Sequence, residues 1–134
     1  MKTVYCVLLC AAAMQLAAAG AALAQNYSGT YVGYYTASGA PGQHQVTLGF
    51  TQNGQSMSGT YKTSTGVAGN CSGWLNGNTA QMNCSNTTPS CPGAYFGPYT
   101  FSVSAVGWTY SGLDCLGPEQ GAGKARKIVA HGKK

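Results

Sequence analysis

Apolar and polar residues alternate along most of the chain after residue 24, and Gly, Asn and Pro interrupt the alternation at short intervals. In one stretch, Val46, Leu48 and Phe50 alternate with more polar neighbours. A period of two is typical of a β-strand with one buried face, and no segment in this part has the helical period. The pattern predicts seven strands: 27–35, 44–51, 56–64, 70–76, 79–85, 98–105 and 108–114.

Two turn signals predict the first two hairpins. Asn-Gly is a strong hairpin signal, and a turn on Asn53-Gly54 pairs Phe50 with Met57, Leu48 with Gly59 and Val46 with Tyr61. A turn on Gly77-Asn78 pairs Leu75 with Ala80, Gly73 with Met82 and Cys71 with Cys84. Opposed cysteines in an antiparallel pair are close enough for a disulfide. We therefore predict a Cys71–Cys84 bridge, which leaves Cys91 to pair with Cys115; a turn on Asn76-Gly77 would break this pairing.

Residues 98–114 predict a third hairpin. A turn on Val106-Gly107 pairs Ala105 with Trp108, Val103 with Tyr110 and Phe101 with Gly112. In this register Asp114 lies beside Tyr99. The larger apolar groups again share one face.

Glycines on the inward face indicate how the strands assemble. The fragment Ser-Gly recurs, and the predicted registers place Gly59, Gly73 and Gly112 inward, with Gly29 following by parity. Inward glycines suit a sheet that curls sharply, although Ser-Gly is also simply common in this composition. The predicted fold class is all-β: an antiparallel up-and-down meander barrel of seven to eight strands with two disulfides. Residues 125–130 are either the eighth strand, pairing with the first, or part of a frayed basic tail.

The first 24 residues have the layout of a secretory signal peptide. Lys2 precedes a long Ala-rich apolar run, which ends at the small-x-small site Ala22-Leu23-Ala24. Such a run favours a cleaved signal over a membrane anchor. We expect a signal peptide at 1–24, a barrel domain at 25–123 and a basic C-terminal segment at 124–134, with no membrane anchor after signal removal.

Cysteine usage and charge narrow the location and the partners. Four cysteines remain beyond residue 24, and an even number in an exported chain indicates two disulfides in a secreted or periplasmic protein. Between residues 25 and 123 the charged side chains are Lys62, Asp114 and Glu119, and the remaining bases crowd the C-terminal segment. A nucleic-acid partner needs bases spread over a surface, so none is expected.

Short repeated elements resemble the calycin group, the lipocalin-like and avidin-like barrels. The elements are Gly29-Thr30-Tyr31, Gly59-Thr60-Tyr61 and Tyr110-Ser111-Gly112, in the order found in avidin-type chains and spanning about residues 28 to 113. Tyr61 and Thr63 are similar to two positions of the avidin-type biotin site. Val32 and Gly33 stand where that site has a polar partner, and Trp74 is predicted to point outward. The resemblance therefore implies a similar shape and not biotin binding. Small-barrel periplasmic protease inhibitors are similar in size, export and architecture only.

A ligand cavity and a pinned loop are the two candidate binding sites. Tyrosine suits ligand cavities because it has an apolar body and a polar tip, although a barrel of this size can also fill its interior with side chains. The loop predicted at 85–99 is held by Cys91 and could present Tyr95 and Phe96 to a protein. The residues predicted to share the inward face as ligand contacts are Tyr27, Tyr31, Tyr61, Tyr110 and Asp114.

Catalysis has few groups to use. Asp114 and His44 could form a polar pair at the barrel mouth, but the favoured interpretation is a strand-end Asp that accepts a turn hydrogen bond and a solvated His. The spacing of residues matches no metal site, so we expect no enzyme, no catalytic residue, no metal and no cofactor. The leading hypothesis is an exported non-enzymatic binding protein for a small molecule or a protein, with its ligand in the barrel mouth or cavity. The alternatives are a protease-inhibitor-like interaction module acting through residues 85–99 and a structural cell-envelope protein.

Overall fold

The computed structural model describes residues 25–128, and they form eight β-strands and no helix. Accordingly, these residues contain no helix long and apolar enough to cross a membrane. The predicted signal peptide lies outside the described residues. The strands are β1 Gly29–Ala37, β2 Ala40–Asn53, β3 Ser56–Thr63, β4 Ala68–Asn76, β5 Thr79–Asn86, β6 Gly93–Phe101, β7 Ala105–Asp114 and β8 Gly117–Lys127.

The strands form one closed antiparallel barrel in sequence order, so the predicted fold class is confirmed. Each strand pairs with the next, and β8 closes the barrel by pairing with both β7 and β1. Closure leaves no unpaired sheet edge. In such a meander the connections alternate between two ends. We call one end the mouth, with turns 38–39, 64–67, 87–92 and 115–116, and the other the closed end, with turns 54–55, 77–78 and 102–104.

The β4–β5 hairpin has the predicted register. Cys71 pairs with Cys84 across the hairpin, and Gly77 has a φ of 64° at the first turn position, as a type II′ turn requires. Both predicted disulfides, Cys71–Cys84 and Cys91–Cys115, are present. Two disulfides indicate an oxidising, non-cytoplasmic location.

The β2–β3 register predicted from Asn53-Gly54 is wrong, because the turn lies one residue further along the chain. Asn53 pairs with Ser56, so the turn is Gly54-Gln55, and Gly54 has a φ of 60°. The turn again places glycine first, where a positive φ is needed. Phe50 consequently pairs with Gly59 instead of Met57, and its ring lies over that glycine.

The β6–β7 register is also wrong in the prediction. Phe101 pairs with Val106 and Tyr99 with Trp108, so the hairpin turns at residues 102–104 and not at Val106-Gly107. The observed register buries these four side chains together, whereas Val103, at the turn, is 76% exposed. Burial of large apolar groups decides the register here.

The closing strand β8 is longer than predicted and begins earlier. It runs from Gly117 to Lys127, so the barrel extends past the predicted boundary at residue 123, and the predicted start at Ala125 is wrong. Its positions facing the interior are mostly small or polar: Glu119, Gly121, Gly123 and Ala125. A strand with such residues on its inner face carries no hydrophobic alternation and escapes a search based on that pattern.

The closed end contains the densest part of the core. Tyr27 stacks on Phe101 with ring centroids 5.0 Å apart, and Tyr31 meets Phe50 and Phe101 edge to face at 5.6 and 6.1 Å. The Tyr31 hydroxyl donates a hydrogen bond of 2.8 Å to the carbonyl of Tyr27. This hydrogen bond fixes the segment before β1 across the closed end of the barrel. The packed rings leave no room for a ligand at that end.

Candidate functional site

The mouth half of the barrel contains a cavity of about 450 Å³. This volume falls in the range of about 300–1,000 Å³ that is typical of small-molecule sites. The cavity opens between the mouth turns, since Gly39, Thr65 and Leu116 border it. The alternative of a completely filled core therefore describes the closed end only.

Aromatic and aliphatic side chains form the floor of the cavity. Tyr99 and Trp108 stack with centroids 5.6 Å apart and planes 10° from parallel, and Val46 and Leu48 complete the apolar surface. Tyr99 is only 5% exposed, and its hydroxyl has the Cys84 sulfur, at 3.9 Å, as its partner. Because sulfur is a weak acceptor, this hydroxyl keeps most of its donor capacity for another group.

A chain of hydrogen bonds crosses the wall of the mouth. The Tyr61 hydroxyl donates to Oδ1 of Asn86, whose Nδ2 donates to the Tyr95 hydroxyl at 3.2 Å and to the Cys91 carbonyl at 3.1 Å. The Tyr95 hydroxyl donates in turn to the Asp114 carboxylate at 3.1 Å. Four strands and the 87–92 turn are thus connected, and the donors of Tyr61, Asn86 and Tyr95 lead in sequence to the Asp114 carboxylate.

Two carboxyl groups end this network. The Tyr110 hydroxyl donates to Glu119 at 3.0 Å, and the backbone N–H of Leu116 donates to Asp114 at 2.8 Å. Asp114 and Glu119 are the only acidic residues in the 134-residue sequence, and both line the cavity. The sequence therefore places its whole negative side-chain charge at one mouth.

The two carboxyls have pKa values shifted in opposite directions. Hydrogen bonding with Glu119 is the main cause that lowers the pKa of Asp114, and the Leu116 N–H adds to it. Burial is the main cause that raises the pKa of Glu119, and the hydrogen bond with Asp114 raises it further. Asp114 thus carries a charge at any pH above the ordinary carboxyl range.

Four tyrosines of the cavity have raised pKa values and remain neutral hydroxyl groups. Burial is the first cause that raises the pKa values of Tyr61, Tyr95, Tyr99 and Tyr110, and Glu119 raises that of Tyr110 further. Burial disfavours the phenolate because the charge would lose its hydration. These residues therefore act as donors and aromatic surfaces and not as anions.

Positive charges are kept away from the cavity. Among the described residues, Lys62, Lys124 and Arg126 are exposed, and Lys127 lies 6.0 Å from the Tyr31 ring at the closed end. No described Lys, Arg or His borders the cavity. The two carboxyls consequently have hydrogen-bond donors but no cation facing them across the cavity.

The mouth disulfide lies next to this acidic site. Cys91, Asp114 and Cys115 have potential ligand atoms within 4.8 Å of one another, the one such group among residues 25–128. Both sulfurs are bonded to each other, so neither is a thiolate that could bind a metal ion. The group fixes the 87–92 turn to the end of β7 and is assigned no metal.

The structure brings three of the five predicted ligand residues together. Tyr61, Tyr110 and Asp114 border the cavity. Tyr27 and Tyr31 share the inward face but belong to the packed closed end and do not border the cavity. Parity identifies the face of a strand correctly but not the height along the barrel.

Several residues of the site escape the sequence reasoning. Asn86 is the junction of the network, and Glu119 is hidden on the unpredicted part of β8. Tyr95 is predicted in a loop because the sixth strand is predicted to begin at residue 98, whereas β6 begins at Gly93. Tyr99 is predicted beside Asp114 because of the wrong β6–β7 register. An available signal was the position of Glu119 just beyond Asp114, across a turn of two residues.

The predicted loop at 85–99 is mostly strand. β6 begins at Gly93, which leaves 87–92 as the turn. Tyr95 and Phe96 both lie in β6 and border the cavity, and Phe96 is half-exposed, so neither forms a loop tip. His44 lies against the ring of Tyr35 at 5.5 Å and does not border the cavity, so it forms no pair with Asp114. Asp114 accepts the turn hydrogen bond of the favoured interpretation, from the Leu116 N–H at 2.8 Å.

Comparison with protein-family models, with curated proteins and with solved structures finds no match to this chain.

Proposed function

We propose that this chain is an exported, non-enzymatic binding protein that takes one small molecule into the mouth cavity. The observation that carries the proposal is a cavity of about 450 Å³ with an apolar floor and convergent polar groups at its rim. An apolar surface with a few fixed polar groups is the usual composition of small-molecule sites. The apolar part supplies affinity by burial, and the polar rim orients the ligand.

Preorganisation also supports a binding role. Hydrogen bonds fix Tyr61, Tyr95 and Tyr110 before any ligand arrives. The Cys91–Cys115 disulfide holds the 87–92 turn, so little ordering remains for the ligand to induce. Rigid sites bind more tightly because they lose less conformational entropy. The disulfides and the signal-like residues 1–24 together favour the periplasm or the extracellular space.

A neutral fluorescent probe tests the proposal. N-phenyl-1-naphthylamine should bind wild-type protein in a 1:1 complex with enhanced fluorescence, and native mass spectrometry should detect that complex. Val67 borders the cavity within a mouth turn, so Val67→Trp should fill the entrance and weaken binding about tenfold or more. Thr47→Trp places the same bulk on the outer face of β2 and should leave binding unchanged.

Two results would contradict the proposal. The wild-type protein could fail to bind the probe although its disulfides are complete, or both Trp variants could bind it equally well. In either case the cavity would not be a ligand site, and an interaction surface outside the barrel would become the leading candidate.

A further inference from the structure

The unbalanced charge of the cavity indicates which ligands it selects. Asp114 and Glu119 both border the cavity, while the described cations lie on the outer face or at the closed end. A carboxylate that is partly removed from water needs a counter-charge or donors to compensate for lost hydration. Among residues 25–128, Tyr95, Tyr110 and Leu116 supply donors and no cation borders the cavity, so a positive ligand group would complete the site.

The direction of the hydrogen bonds leads to the same conclusion. Three tyrosine hydroxyls of the cavity already donate their hydrogen to another side chain. The acceptors are Asn86 for Tyr61, Asp114 for Tyr95 and Glu119 for Tyr110. Each of these hydroxyls has one hydrogen to give. Around the two carboxyls, what remains available is acceptor capacity, on the carboxylates and on the tyrosine oxygens. A ligand group that donates several hydrogen bonds fits this part of the rim.

Aromatic rings around the carboxyls add a second attraction for a cation. Tyr95 and Tyr110 contact each other edge to face with centroids 5.4 Å apart, and Tyr35 and Tyr61 border the same cavity. The face of an aromatic ring attracts an ammonium group, and the attraction increases where water is excluded. Acids and tyrosines therefore favour the same kind of ligand group.

The floor indicates what the rest of the ligand is. Tyr99 and Trp108 present a stacked aromatic surface below the acidic rim, beside Val46 and Leu48. A flat apolar body would bury its surface there. The Tyr99 hydroxyl, with only a sulfur partner at 3.9 Å, can donate to an acceptor on that body.

We propose that the mouth cavity selects small molecules that carry a protonated primary amine on an apolar, aromatic body. The ammonium group binds to Asp114 and Glu119 and the tyrosine oxygens, and the body lies on the floor of Tyr99 and Trp108. This inference rests on the proposed function, because it names the ligand class of the same cavity.

Tryptamine and tryptophol are a matched pair of probes for this inference. They share an indole body and an ethyl chain, and they differ in an ammonium group against a hydroxyl. Each is titrated by calorimetry and by displacement of N-phenyl-1-naphthylamine at neutral pH and low salt. We expect tryptamine to bind about tenfold or more tightly than tryptophol, the size of one charge-assisted hydrogen bond.

Charge-removing substitutions assign the preference to the two acids. Asp114→Asn together with Glu119→Gln should reduce the preference for tryptamine to about twofold or less while tryptophol still binds. Retained tryptophol binding shows that the variant is folded and its cavity intact. Lys124→Gln changes the net charge at an exposed position of β8 and should leave the preference within about twofold of wild type.

The outcomes separate this inference from the proposed function. Equal affinities for the two probes, or tighter binding of tryptophol, would overturn the amine inference and leave a small-molecule site in place. A preference that survives in the double variant would overturn the assignment to Asp114 and Glu119. Binding of neither indole probe nor of the naphthylamine would overturn the proposed function itself.

Discussion

At the scale of residues, large rings on β7 are paired with glycines on the adjacent strand β8. A Cβ atom added to Gly123 would lie 2.2 Å from Cζ2 of Trp108, and one added to Gly121 would lie 2.4 Å from the ring of Tyr110. These distances are far inside van der Waals contact, so each ring occupies the space that a side chain would fill. The glycines of β8 therefore help to shape the cavity, because they leave the space in which the rings of its wall and floor lie.

We predict that Gly123→Ala destabilises the barrel by about 1–3 kcal/mol, the usual cost of overpacking a buried contact. The Trp108 ring would have to move, so its fluorescence should shift as well. Gly107→Ala is the matched control, because the nearest atom to its added Cβ would be 3.9 Å away. Urea denaturation measures both variants. Equal unfolding midpoints for the two variants would mean that the position of the Trp108 ring does not require a glycine at residue 123.

A second residue-scale prediction concerns Glu119 and pH. The pKa of Glu119 is raised above its ordinary value of 4.5 in the folded protein. At a pH between these two pKa values, Glu119 is protonated in the folded protein and ionised in the unfolded chain. The folded state then binds more protons, so this group's contribution to the free energy of unfolding falls as pH rises through that window. The titratable groups that face Glu119 are Asp114 and Tyr110 on β7, Tyr95 on β6 and Tyr61 on β3.

Glu119→Gln should remove this contribution. Relative to wild type, the variant should gain stability as pH rises above about 4.5, the ordinary carboxyl range. Asp114, with its lowered pKa, acts in the opposite direction and only below its ordinary value of 3.8, so the two effects are separable. Urea denaturation at a series of pH values measures the difference. Parallel stability curves would show that the folded state leaves the Glu119 pKa unshifted.

At the scale of elements, the sequence predicts a register well where two constraints coincide. The β4–β5 hairpin has a glycine that suits the first turn position and a cysteine pair that must oppose. The β2–β3 hairpin has only the Asn-Gly signal, and its turn moved one residue towards the glycine. The β6–β7 hairpin has no strong turn signal, and its register follows from burying Tyr99, Phe101 and Trp108.

The strand β8 shows the limit of pattern analysis. Its inner face carries glycines because rings from β7 cover it, so the apolar signal belongs to the neighbouring strand. Because Glu119 lies in the part of β8 that the pattern does not predict, one of the two acids of the site is missed as well. Ala125 is the one inward residue of β8 that is fully buried in the core. It packs between β1 and β7, where the barrel closes.

We predict that Ala125→Asp destabilises the barrel by about 3 kcal/mol or more, because an unpaired charge would be buried at the closure. Ala122→Asp places the same charge at an exposed position of the same strand and should cost less than about 0.5 kcal/mol. Near-ultraviolet circular dichroism and urea denaturation compare the variants. Equal stability of the two would mean that β8 is a loosely attached tail and not a wall of the barrel.

At the scale of the whole molecule, the aromatic packing and the cavity lie at opposite ends of the barrel. The aromatic cluster of Tyr27, Tyr31 and Phe101 closes one end. The other end is left open and carries both acids. Composition predicts a barrel with inward tyrosines, but the division into two ends depends on registers and turns that the sequence specifies only in part. The two disulfides follow the division, since one crosses the wall and the other ties two mouth turns together.

The last prediction uses this division. Cys91–Cys115 joins residues 24 apart, and Cys71–Cys84 residues 13 apart, so chain entropy gives each bridge about 3 kcal/mol of stability. Replacing either pair by alanine should therefore lower the free energy of unfolding by a similar amount.

The effects of the two replacements on ligand selection should differ. Cys115 directly follows Asp114, and Asn86 donates to the Cys91 carbonyl, so loss of the mouth disulfide loosens the groups that position the carboxylate. The preference for tryptamine over tryptophol should fall several-fold in the Cys91→Ala, Cys115→Ala variant. It should persist in the Cys71→Ala, Cys84→Ala variant, because Cys84 belongs to the floor, which both indole probes contact alike. An equal loss of preference in both would mean that the disulfides act on the stability of the barrel alone.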